Sequence, residues 1–181
     1  TPGHTYMVSL DPSMGTGGDF AAIQVFELPT FEQIGEWHHN QTPMNQQVRI
    51  LQGINKHIHD TIMEKDATAS PQIFYSMENN SIGEAALMRV MDIGEENIQG
   101  MFLSEPIRKG HRRKFRRGFN TTAKHKIDAC TKFKELVEND KMKIHSQLLI
   151  SELKDFVASG LSYKAKPGQH DDLVSACLLM T

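Results

Sequence analysis

Two cysteines, one tryptophan and no long apolar run leave several classes of protein out of reach for this 181-residue chain. Nothing about two thiols suggests a disulfide framework or a zinc site of Cys ligands. Cys130 and Cys177 both fall at apolar positions of expected helices, which makes them buried free thiols. No apolar stretch approaches the roughly 20 residues of a membrane-spanning helix, and no signal peptide is visible. Charge of one sign is also lacking: 20 Lys and Arg against 22 Asp and Glu give a net charge of -2, which excludes a uniformly basic coat but not a local basic patch. No Gly-x-x-x-x-Gly-Lys-[Ser/Thr] loop occurs, so the chain has no phosphate loop with which to power a motor. The hydrophobic share of 39% and charged share of 23% are those of an ordinary globular chain, so disorder is not expected. The length suits one domain over residues 1–181 with a real core. The start at Thr1 and the stop at Leu178-Leu179-Met180-Thr181, in or just after an apolar helix, suggest an excised domain of a longer protein.

Residues 6–11, 20–27 and 31–39 read as three strands joined by short links, an antiparallel meander. Thr42 is expected to cap a helix with Pro43 at its first position, and Val48, Leu51, Ile54, Ile58 and Ile62 recur at helical spacing. After a loop at 64–70, a strand over 72–78 follows the helix and is able to lie parallel to an earlier strand by a crossover. A short helix near 82–92 and a fifth strand near 98–103 come next. The 104–120 stretch is irregular and basic. A helix over 121–139 carries the stripe Ala123, Ile127, Cys130, Phe133 and Val137. Residues 141–145 suggest a short strand, and Ser146 a cap for a helix carrying Leu149, Leu153 and Phe156. Residues 161–166 are extended, and a last helix begins at about Asp171. The order predicts an α/β fold: a mixed sheet, the three-strand meander joined to parallel strands, flanked by helices.

Asp11 ends an otherwise apolar strand, where an ionised carboxylate costs several kcal/mol unless a cation or donors compensate. The ordinary alternative is a turn Asp serving Pro12-Ser13. Glu78 repeats the pattern at the end of the 72–78 strand; it too has a bland alternative, a solvated strand-end acid. Parallel pairing of the two strands would bring both acids to one sheet edge, the usual place for ligands in open α/β sheets. Asp171 and Asp172 open the last helix, where acids favour the dipole and cap free N–H groups; one suffices for capping, and the second is left over. Hard divalent cations take oxygen ligands, and two such ions about 4 Å apart activate water and stabilise the leaving oxygen of a phosphodiester. Asp19 is an accessory candidate or an ordinary turn Asp. His170 is another, to orient water or protonate a leaving group, or a helix-start histidine without special duty.

Arg108, Lys109, Arg112, Arg113, Lys114, Arg116 and Arg117 put seven cations within ten residues with no acid among them. Either they form a solvated charged surface, or they contact DNA or RNA phosphates and release counterions. No base-reading pattern accompanies them, so little sequence preference is expected.

Three segments together resemble the nuclease domain of the large terminase subunit of tailed bacteriophages, of T-even-like type: Leu10-Asp11-Pro12-Ser13-Met14-Gly15 running on through Gly18-Asp19-Phe20-Ala21-Ala22; Tyr75-Ser76-Met77-Glu78-Asn79-Asn80-Ser81-Ile82-Gly83; and Gly168-Gln169-His170-Asp171-Asp172-Leu173-Val174. The resemblance spans nearly the whole chain. It implies a ribonuclease H-like fold and metal-dependent cutting of double-stranded DNA during viral genome packaging, with two Mg²⁺ or Mn²⁺ ions. By position it makes Asp11, Glu78 and Asp172 the metal ligands with Asp171 in support. Where family members have a histidine three positions before the final Asp, this chain has Gln169, with His170 next to it. The resemblance further implies an ATPase domain before this one, portal and small terminase subunit as partners, and work at the procapsid portal in the host cytoplasm. Neighbouring readings are another ribonuclease H-like nuclease, such as a Holliday-junction resolvase, a non-catalytic DNA-docking module built on the 108–117 run, and a sugar-kinase-like ATPase, for which the chain is short.

Overall fold

Alternation along the first strand sets the architecture. In β1 (Thr5–Asp11), Tyr6, Val8 and Leu10 are buried on one face, and Ser9 is buried on the other, so β1 is covered on both sides and must lie inside the sheet. The computed structural model, which describes residues 1–105, 117–160 and 162–181, places it there. With β2 (Ala21–Leu28), β3 (Glu32–His39), β4 (Gln72–Met77) and β5 (Met101–Phe102) it forms a five-stranded sheet in the order β3-β2-β1-β4-β5. β1, β2 and β3 are the expected antiparallel meander, and β1, β4 and β5 run parallel. One face packs against α1 (Met44–Lys65) and α2 (Gly83–Ile93) through Tyr6, Val8, Leu10, Ile23 and Val25. The other carries Ala22 and Phe26 against α3 (Ala123–Glu138), α4 (Gln147–Asp155) and α5 (Asp172–Leu178). A small hairpin of β6 (Phe156–Ser159) and β7 (Ser162–Ala165) lies beside the second group. Full burial of each Val, Leu, Ile or Met in these layers contributes roughly 1.5–3 kcal/mol. Both cysteines are free and buried, as expected.

Several local expectations are corrected. Pro43, not Thr42, holds the position before α1. Thr42 instead gives its carbonyl to Gln47 Nε2 at 2.7 Å, while Gln47 also accepts from the Ser13 N–H and donates to the Ser13 carbonyl. The buried Gln47 side chain thus pins the turn after Asp11 to the start of α1. Gly15, at φ +69°, makes the close approach possible, since a Cβ there would lie 2.2 Å from the Thr42 carbonyl oxygen. α1 runs on through Lys65 and shortens the expected loop. The strand expected at 98–103 is two residues long, and that at 141–145 reduces to one bridge between Lys143 and Glu32. Ser146 caps α4 as expected, accepting from the Leu149 N–H at 3.0 Å. Phe156, however, leaves the helix for β6, where its ring stacks on Tyr163 at 6.0 Å.

Candidate metal centre

Register brings the strand-end acids together. Leu10 pairs with Met77 in the parallel β1–β4 ladder, and the Glu78 N–H donates to the Leu10 carbonyl at 3.1 Å. One step further, Asp11 and Glu78 stand abreast, and alternation turns both toward the face that carries α3, α4 and α5. The same row continues across the meander: Asp11 pairs with Ala22, and Ala22 with His38. α5 is fixed over this face by Ser9, whose Oγ donates to the Ala176 carbonyl at 2.6 Å.

Asp172 heads α5, and its surroundings remove the capping role as its explanation. The N–H groups of Leu173 and Val174 donate instead to Glu152 Oε2 of α4, at 2.9 and 3.1 Å. Asp171, at the position before the helix, makes no side-chain cap either. Asp172 Oδ2 is buried without a hydrogen-bond partner among the described residues; His170 Nδ1 lies 3.5 Å from it. Asp171 turns aside, with Lys126 Nζ at 3.5 Å and the Ala165 N–H at 3.3 Å from its Oδ2. Asp19 is exposed, close enough for its charge to be felt at Asp172.

The electrostatics are those of crowded, buried acids. Burial first, then the charges of Glu78 and Asp172 and a hydrogen bond with Glu78, push the Asp11 carboxyl well above the usual range. Burial, with the Asp171 and Asp19 charges added and His170 opposing, pushes Asp172 up to about 6. Burial pushes Glu152 up to about 7, the Asp172 and Asp171 charges adding to it and the helix N–H groups opposing. Burial lowers the His38 imidazole, with Glu36 opposing.

The Glu-Asn-Asn-Ser-x-Gly segment is the local device that aims Glu78. Asn80 Nδ2 donates to Glu78 Oε2 at 2.6 Å, while Asn80 Oδ1 accepts from the N–H groups of Ile82 and Gly83 at 3.0 and 2.8 Å. Asn79 donates from its backbone to the Phe119 carbonyl and from its side chain to the Arg117 carbonyl.

Of the basic run, Arg108, Lys109, Arg112, Arg113, Lys114 and Arg116 lie outside the described residues. Arg117 is described and is paired with Glu95. Two residues escaped the sequence reading: Glu152, in the middle of an amphipathic helix, and His38, near the end of β3. With Asp172 they form a group whose ligand atoms all lie within 4.8 Å of one another. The signal for His38 was its parity with Asp11 across the meander, legible only once the β2–β3 register is known.

A mixed sheet of this order, with acids abreast at the ends of neighbouring parallel strands and an acid-headed helix across them, defines a ribonuclease H-like fold. Residues 8–180 match the family described as "Terminase RNaseH-like domain", and the chain belongs to that family. Solved relatives share the fold at low identity. The large terminase nuclease from thermophilic phage G20c with bound magnesium superposes with a TM-score of 0.67 at 16% identity, covering 99% of this chain and 81% of that one. The human cytomegalovirus terminase nuclease domain, manganese-soaked and inhibitor-bound, gives 0.65 at 14% identity, covering 97% and 80%. The Thermus phage P74-26 large terminase nuclease domain gives 0.61 at 16%, covering 97% and 77%.

Proposed function

We propose that this domain is a divalent-metal-dependent endonuclease that cuts double-stranded DNA during viral genome packaging. Its main support is the convergence of Asp11, Glu78 and Asp172 from two strand ends and one helix start, with Asp172 relieved of capping by Glu152. These residues fit a hard cation: they offer carboxylate oxygens, one of them buried without a partner among the described residues, and burial, with the Glu78 and Asp172 charges adding to it, disfavours the ionised Asp11 carboxylate where no cation offsets it. In this reading Asp11, Glu78 and Asp172 hold two Mg²⁺ or Mn²⁺ ions, and Asp171 supports them. When bound, such ions activate water and stabilise the leaving oxygen of a phosphodiester. Asn80 orients Glu78, Glu152 orients the head of α5, and His170 stands where it can pass a proton beside Asp172. The magnesium and manganese in the structures of relatives agree with this choice of ions.

The 108–117 run supplies phosphate contacts in this proposal. The described residues on either side of 106–116 lie near Glu78: the Glu105 N–H donates to the Gly118 carbonyl, and the Phe119 N–H to the Met77 carbonyl. We assign an ATPase domain, the portal and the small terminase subunit as partners of the intact protein at the procapsid, in the host cytoplasm. The direct test incubates the protein with supercoiled plasmid and Mn²⁺, Mg²⁺ or EDTA, beside Asp11→Asn. Metal-dependent nicking and linearisation lost in the variant is the expected result; full cutting by Asp11→Asn would refute the assignment.

A further inference from the structure

His38 and Glu152 belong to neither strand-end pair nor motif, yet both are drawn toward Asp172. Among the described residues His38 Nε2, which is buried, has no hydrogen-bond partner, and the same is true of Asp172 Oδ2. A buried polar atom without a partner is costly, and ligand atoms of His38, Glu152 and Asp172, one from each, lie within 4.8 Å of one another, close enough to share an occupant. Glu152 has a side chain only 10% exposed, and its Oε1 lies 3.9 Å from His38 Nε2, too far for a hydrogen bond. Its other oxygen is taken by the N–H groups of Leu173 and Val174, which hold the carboxylate in place. The Phe20 ring stacks on the His38 imidazole at 4.1 Å and fixes its plane.

We propose that His38, Glu152 and Asp172 form a cation site of mixed nitrogen and oxygen ligands, on the opposite side of Asp172 from Asp11 and Glu78. The sheet supplies the spacing. His38 and Asp11 stand in one cross-strand row with Ala22 between them, hence about 10 Å apart at the backbone. Asp172 reaches both ends of the row: its charge acts on Asp11, and its oxygen belongs to the group with His38. Ligand atoms on one six-coordinate ion at about 2.1 Å stand roughly 3 to 4.3 Å apart, so the 3.9 Å between His38 Nε2 and Glu152 Oε1 suits a shared ion.

The imidazole decides which ion. Mg²⁺ keeps to oxygen and water, whereas Mn²⁺, Co²⁺ and Zn²⁺ accept imidazole nitrogen. The His38 side of Asp172 therefore prefers Mn²⁺ to Mg²⁺. This rests on reading Asp172 as a cation ligand shared with Asp11 and Glu78.

Mn²⁺ binding to the whole domain, followed by electron paramagnetic resonance, tests it without reference to cutting. Pulsed spectra of bound Mn²⁺ detect directly coupled ¹⁴N. Wild type is expected to show this coupling, Asp11→Asn to keep it, and His38→Gln to lose it together with at least about tenfold of the affinity of one ion. Absence of nitrogen coupling in wild type overturns the proposal without any variant. So does coupling that survives in His38→Gln, once its melting in EDTA matches wild type. Failure of the cutting-site reading looks different: Asp11→Asn then binds as many ions as wild type, whatever the nitrogen signal.

Discussion

Asp11, Asp172 and Glu152 share one property, a carboxyl held above its ordinary range chiefly by burial and also by neighbouring negative charge. Folding stability must then depend on pH in a stated direction. Each of these acids binds its proton more tightly folded than unfolded, so between about pH 4 and 7 the folded state holds the extra protons, and stability falls as pH rises. His38, with its lowered imidazole, works the other way and offsets part of the slope. Metal-free protein is therefore expected to melt several degrees higher at pH 5.5 than at pH 7.5, since about 1 kcal/mol is worth roughly 2–4 °C in a domain of this size. Mn²⁺ at pH 7.5 is expected to recover the difference. Asp11→Asn is expected to raise the metal-free melting point and blunt the response to Mn²⁺. Calorimetry across pH with and without EDTA checks this; a metal-free melting point that climbs from pH 5.5 to 7.5 would contradict it. Asp11, Glu78 and the Asp171-Asp172 pair were visible in the sequence because each breaks a local pattern at a strand end or helix start. His38 and Glu152 break none: their meaning comes from the β2–β3 register and from the packing of α4 against α5.

The turn between β4 and α2 shows what an element contributes. A Cβ on Gly83 would lie 1.8 Å from the Glu78 carbonyl oxygen, so the helix start and the strand end approach each other only because position 83 lacks a side chain. Gly83→Ala is expected to cost on the order of 1–3 kcal/mol and to displace Glu78. Asn80→Ala adds no clash at that approach; it frees the Glu78 carboxylate and removes the acceptor of the Ile82 and Gly83 N–H groups, and is expected to lower cutting at least about tenfold, as loss of a ligand's supporting hydrogen bond does. Gly53→Ala in α1, where nothing lies within 4 Å of the added carbon, serves as control and is expected to be neutral or to stabilise by up to about 1 kcal/mol. Thermal melts and plasmid cutting on the three variants distinguish these outcomes; equal loss in all three would remove the special role of the turn. Elements with strong periodicity, such as α1 and α3, were legible in sequence to within a few residues. β5 and β7 were legible as extended pieces, but the two-residue length of β5, set by its pairing with the distant β4, and the strand β6 that pairs with β7 were not. The end of α4 at Asp155 belongs with them, since Phe156 is drawn into the hairpin onto Tyr163.

Across the whole molecule, charge is balanced in sum and separated in place. A net charge of -2 conceals an acidic edge, with Asp11, Glu78, Asp171 and Asp172 gathered at one end of the sheet, and a run of seven cations whose flanking residues are held at that same end through Glu105, Gly118 and Phe119. DNA approaching the acids alone would be repelled. Cations bound by the acids and the basic run act together in the proposed function, the first to neutralise the reacting phosphate and the second to hold its neighbours. Arg112 and Arg113 lie in the middle of the run, and Arg117 is already engaged by Glu95, so the unassigned charge of the pair is the sharper probe. Each phosphate contact contributes about 0.9 to the slope of log affinity against log salt. Arg112→Ala with Arg113→Ala is thus expected to weaken binding to duplex DNA of any sequence and to flatten that slope by up to about 2. Asp11→Asn in EDTA should leave the slope where it was. Anisotropy titrations of a labelled duplex over a salt series measure both, and an unchanged slope in the double variant would take the run out of the DNA interface.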